Sequence, residues 1–169
     1  MERGRRESAH TFCAELEQLG EKLREGSELP MARALGALCR FTHDENKSTT
    51  ADLTAAIEVL RQADAKHRLA VVLTIASGLH LERGRPGQAR TMAEEALTCV
   101  RSLGRPNDTA RVLASLVRAC AVQGDDDAHD TYFDELLRLG QEPLSNHTKR
   151  LVNATLVAGQ TQLDEAEVS

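Results

Sequence analysis

Four cysteines, six histidines and a short acidic run are the residues of this 169-residue chain with the chemistry to hold a metal or move a proton. Cys13, Cys39, Cys99 and Cys120 never fall in C-x-x-C spacing, and no histidine stands at zinc-finger distance from a cysteine pair. Small buried hydrophobes are therefore expected, rather than a zinc site or disulfides. His80 falls on an apolar helical stripe, which points to an interior histidine. His129 lies within the acidic cluster Asp125, Asp126, Asp127, Asp130 and Asp134. Those carboxylates are the right type for a divalent cation, but their spacing is not that of an EF-hand. Acids at a helix start also satisfy free N–H groups and favour the dipole. No Gly-rich phosphate loop, H-E-x-x-H or G-x-S-x-G is present. The expectation is a protein with no catalytic residue, no metal and no cofactor.

Composition narrows the partners. The net charge of −5 argues against DNA as the main ligand, and aromatics at 2% with no Trp argue against stacking on bases. Apolar residues at 41% and charged ones at 28% suit a globular protein. The chain opens Met-Glu-Arg-Gly-Arg-Arg and stays polar, with no apolar signal core. Nor does any run approach the roughly 18 apolar residues of a membrane span. A cytoplasmic protein without membrane contact is expected.

The elements that position these residues are helices. Phe12, Cys13, Leu16, Leu19 and Leu23 form one apolar face of a helix over 8–25, after a flexible 1–7. Pro30 opens a second helix carrying Met31, Ala34, Leu35, Leu38 and Cys39. A loop spans 44–50, and Thr49 caps a third helix with Leu53, Ala56, Ile57 and Leu60. Asp64 caps a fourth with Leu69, Val72, Leu73, Ala76 and Leu79. Gly84-Arg-Pro-Gly87 breaks it, and the fifth, with Ala93, Ala96 and Val100, closes on a left-handed Gly104. Pro106 to Gly124, Asp125 to Gly140, and Ser145 or Asn146 to Gly159 bound three more, followed by a polar tail at 160–169. No stretch alternates as a strand does. The fold class is all-α, with seven or eight helices in antiparallel pairs.

The pairs repeat. Gly84 and Gly124 lie 40 residues apart, each after an apolar helix and each followed by a small residue, Ala89 or Ala128. One unit reads Leu73, Ala76, Ser77, His80, Gly84, Ala89, Ala93, Ala96. The next reads Leu113, Leu116, Val117, Cys120, Gly124, Ala128, Phe133, Leu136. This pattern resembles the tetratricopeptide repeat in its long-period form, as found in bacterial regulators. The likeness covers about 30–159, with units near 30–63, 65–104 and 108–140 and a closing helix at 145–159, in one domain over 8–159. The usual large aromatics are replaced by Leu, His, Cys and Ala, and the terminal Pro is absent or displaced. The resemblance implies a right-handed superhelix whose first helices line a concave groove.

Carried over by position, the groove holds Arg33, Ala37, Arg40 and Phe41, then Thr74, then Arg111 and Arg118, then Lys149 and Asn153. Basic side chains dominate this set in an acidic protein. Arg binds carboxylates bidentately, and an Asn side chain can pair with a peptide backbone. The implied function is a non-enzymatic adaptor that grips an acidic peptide or helix of a protein partner. Two alternatives stand beside it. Uncapped repeat ends invite stacking of a second copy into a homo-oligomer. The topology is also similar to the small chaperones of type III secretion.

Overall fold

The computed structural model describes residues 2–23, 27–43 and 46–167, with side chains over 11–12, 14–22, 27–43 and 46–159. Among them are eight helices and no strand: α1 (Glu2–Leu23), α2 (Glu28–His43), α3 (Lys47–Gln62), α4 (Lys66–Glu82), α5 (Pro86–Leu103), α6 (Pro106–Gln123), α7 (Asp126–Leu139) and α8 (Asn146–Glu167).

The punctuation is stricter than the 40-residue spacing suggests. Asp64, Gly84, Gly104 and Gly124 all have positive φ, at 47°, 67°, 62° and 68°, and they fall every 20 residues. Helices begin at the same interval, at Lys66, Pro86, Pro106 and Asp126. A left-handed residue ends a helix cheaply because it turns the chain while the last carbonyls still find N–H donors. Gly104 donates to the Arg101 carbonyl and Gly124 to that of Ala121. Proline then restarts α5 and α6 at the first turn, where its missing N–H costs nothing.

Several boundaries differ from expectation. Asp64 is not the cap of α4 but the left-handed residue beyond α3, standing where the later turns use glycine. The cap of α3 is Asn46, not Thr49. The Asn46 carboxamide oxygen accepts from the N–H groups of Ser48 (2.9 Å) and Thr49 (3.0 Å), and the Thr49 hydroxyl accepts from the Asn46 N–H at 2.9 Å. This reciprocal box uses a threonine where Glu or Gln is usual. The expected flexible N-terminus is helical from Glu2, with Met1 outside the described residues. Likewise, α8 runs through Gly159 to Glu167 instead of stopping. Gly159 is there for space: a Cβ would lie 2.7 Å from Cε2 of the Phe133 ring. An interior helical glycine costs only about 1 kcal/mol, which the helix tolerates.

The contacts gather into two compact units, Met1–Ile75 and Ala76–Ser169, divided within α4. In the first, α2 packs on α1 and on α3. Ala34, Phe41, Leu53, Ile57, Leu60 and Leu73 are buried there. Arg68, in the first turn of α4, donates to the Ser27 hydroxyl (2.6 Å) and to Glu28 (2.5 Å), tying α4 to the start of α2. The apolar face of α1 is not buried as its pattern predicts. Phe12, Leu16 and Leu19 are exposed, while α2 crosses at Gly20, where a Cβ would lie 2.8 Å from the Leu29 Cα.

In the second unit, α6 packs on α5, α7 and α8, and α7 on α8. Ala89, Ala93 and Ala96 are fully buried on α5, and Leu113, Leu116 and Cys120 on α6. Small residues on one helix and large ones on the other allow close approach without voids. Polar ties hold the ends. Arg90 donates to Glu94 (2.8 Å) and Asp125 (2.5 Å), and Asp125 also accepts from the Ala128 N–H at 3.2 Å, capping α7. Those bonds hold the Asp125 carboxyl below its ordinary pKa. Arg101 reaches Glu135, and the Asn107 carboxamide oxygen accepts from the Ser145 N–H at 2.8 Å.

Candidate binding surfaces

In the first unit the helical spacing 33, 37, 40 puts three residues on one face of α2. That face opens onto a cavity of about 390 Å³ shared by α1, α2 and α3. Ala37, Ala55, Ala56, Val59 and Pro30 give it an apolar lining. Its charged groups are Arg33 and Arg40 from α2, Glu17 from α1 and Asp52 from α3. The volume lies in the range of small-ligand sites and fits a side chain or two of a peptide.

The four charges are not equivalent. Arg40 Nε lies 3.7 Å from Asp52 Oδ2, and both side chains are close to half exposed. That pair is solvent-screened and of little worth in stability. Gly36 makes room for Glu17: a Cβ there would sit 2.6 Å from the Glu17 Oε1. Arg33 is exposed and has no ion-pair partner among the described residues. The mouth therefore offers one unshared guanidinium, a second held loosely by a carboxylate, and an apolar floor between them.

The expected site residues divide accordingly. Arg33 and Arg40 line the cavity together with Ala37. Phe41 does not, and this is a correction: it is fully buried in the core. One residue past Arg40 is about 100° further round the helix, which turns the ring inward. Thr74, half-buried, donates its hydroxyl to the Ala70 carbonyl at 2.6 Å within α4. In the second unit Arg111 and Arg118 lie seven apart on α6, and Lys149 and Asn153 four apart on α8, which packs on α6. All four are exposed, and the three cations have no ion-pair partner among the described residues.

Glu17 and Asp52 escape the sequence reading. They make the first unit's face mixed in charge rather than purely basic. The only sequence signal for Glu17 is glycine on the facing helix, at Gly36, which marks close approach. His80 is buried, as its stripe implies. His129 is buried too, despite its acidic neighbours. Its Nδ1 lies 3.1 Å from Asp130, its ring stacks on Phe133 at 5.6 Å, and its Nε2 has no hydrogen-bond partner among the described residues. Burial pushes the Cys120 thiol above its usual pKa, and Cys39, Cys99 and Cys120 form no disulfide among the described residues; Cys13 lies outside the described side chains. Among the described residues no group of three His, Cys, Asp or Glu gathers as metal ligands, and no helix is long and apolar enough to cross a membrane. No family model, no curated protein and no solved structure matches the chain.

Proposed function

We propose that this chain is a non-enzymatic adaptor, built of tetratricopeptide-like helix pairs, that binds an acidic peptide segment of a cytoplasmic protein partner. The observation that carries the reading is the unshared Arg33 beside Arg40 over the apolar lining of Ala37, Ala55 and Val59. A ligand carboxylate pairs with Arg33, a second competes with Asp52 for Arg40, and an apolar side chain between them enters the cavity. Removing that side chain from water contributes about 1.5–3 kcal/mol. The 20-residue turn interval, two helices per 40-residue pair, supports the repeat assignment. Arg111, Arg118 and Lys149 give the second unit its own basic face, on which the same ligand chemistry acts.

Fluorescence anisotropy with a labelled decapeptide of alternating Glu and Leu tests this, with the Lys/Leu decapeptide as control. Saturable binding of the acidic peptide alone, weakening as salt is raised, is expected. Equal binding of both peptides, or of neither, would overturn it.

A further inference from the structure

Among the described residues, nothing covers the apolar face of α1. Phe12 is 69% exposed, Leu16 38% and Leu19 55%, and with Leu35 of α2 they line a groove of about 370 Å³. Their spacing of four and then three residues is that of a coiled-coil seam. One flank of this seam carries Glu15 and Lys22. They stand seven apart, hence on the same side of the helix, and both are exposed with no ion-pair partner among the described residues. Glu17 and Gly20 lie on the opposite flank, towards α2.

We infer that this face pairs with the α1 of a second copy, antiparallel, about a two-fold axis between Leu16 and Leu19. The charges select both the occupant and the direction. When Leu16 of one copy packs on Leu19 of the other, Glu15 faces Lys22 of the second copy, and the axis makes the same pair again on the other side. A parallel pairing sets this flank against the opposite one, where Gly20 stands, and leaves Glu15 and Lys22 without a partner across the seam. A two-fold interface uses one patch twice and so must be self-complementary. A seam with one acid and one base on a single flank meets that condition antiparallel and fails it parallel. The inference does not depend on the proposed peptide site, because Arg33 and Arg40 open onto a different cavity.

Sedimentation velocity on the full chain over a concentration series tests it, using charge swaps on the exposed flank. The parent is expected to pass from monomer to dimer. Glu15→Lys and Lys22→Glu each make both flanking pairs repulsive and are expected to weaken the dimer about tenfold, on the scale of exposed ion pairs. Mixing the two variants restores opposite charges across the axis, so a heterodimer of near-parental affinity is expected, as is rescue in the double variant Glu15→Lys/Lys22→Glu. A parent that stays monomeric up to millimolar concentration overturns the inference. So do single variants that dimerise like the parent, or a mixture no tighter than its components. Circular dichroism of each variant separates these results from misfolding, since both substituted side chains are exposed.

Discussion

Alanine at Gly20, Gly36 and Gly78 separates helix propensity from helix crossing, because all three lie within helices but face different surroundings. At Gly78 nothing lies within 4 Å of the added Cβ. Only backbone propensity changes there, a gain of about 0.8–1.0 kcal/mol. At Gly36 the Cβ meets the Glu17 Oε1 at 2.6 Å. That atom ends a flexible side chain and swings away, so Gly36→Ala retains most of the same gain. At Gly20 the Cβ meets backbone, the Leu29 Cα at 2.8 Å and its N at 3.2 Å. Ordinary contact begins at 3.4 Å, so α1 and α2 must separate by some tenths of an ångström. Overpacking of this kind costs about 1–3 kcal/mol, against which propensity returns about 1. Gly20→Ala is therefore expected to fall about 1–3 kcal/mol below Gly78→Ala, roughly 2–12 °C in melting temperature at this chain length. Thermal unfolding followed by circular dichroism reads the order Gly78→Ala, Gly36→Ala, parent, Gly20→Ala. A Gly20→Ala protein as stable as Gly78→Ala would refute the described crossing of α1 on α2.

Three further outcomes follow from other parts of the fold. Asp64→Gly relieves the only non-glycine residue of positive φ among the described ones and should stabilise by about 0.5–1 kcal/mol in urea unfolding. Ser77→Leu and Ala96→Leu each force a large side chain into a fully buried small position and should cost about 1–3 kcal/mol; parental melting of either would mean these helix faces are misplaced. Arg68 lowers the Glu28 pKa, and Arg90 with the Ala128 N–H lowers that of Asp125. A carboxyl depressed in the fold stabilises it above the unfolded pKa and loses that stabilisation as pH falls. Urea midpoints should thus hold steady above about pH 5 and decline from about pH 4 downward, less steeply in Asp125→Asn.

Legibility in the sequence tracked how local the deciding interaction is. Proline at 86 and 106 and glycine at 84, 104 and 124 act within one turn, and the ends of α4, α5 and α6 follow from them. Asp64 hides its role because an aspartate there reads first as a cap for the next helix. Gly159 reads as a stop, yet its reason is the Phe133 ring on another helix, which no local pattern reveals. The same holds for α1: Phe12, Leu16 and Leu19 look like a core face, but Gly20 decides which side α2 meets. At the candidate site, Arg33, Ala37 and Arg40 came from the repeat resemblance, and helical spacing puts them on one face of α2. Phe41 was assigned by repeat position and misplaced. Glu17 and Asp52 arrive from neighbouring helices and carry no signal of their own.

The most direct measurement of the central claim is a nitrogen–proton correlation spectrum of the labelled protein titrated with the Glu/Leu decapeptide. The account predicts shift changes that saturate together and concentrate at Arg33, Ala37, Arg40, Asp52 and Val59, with the Arg33→Glu variant losing them while keeping the parental spectrum elsewhere. Shifts confined to residues away from this cavity, or unchanged in Arg33→Glu, would contradict it.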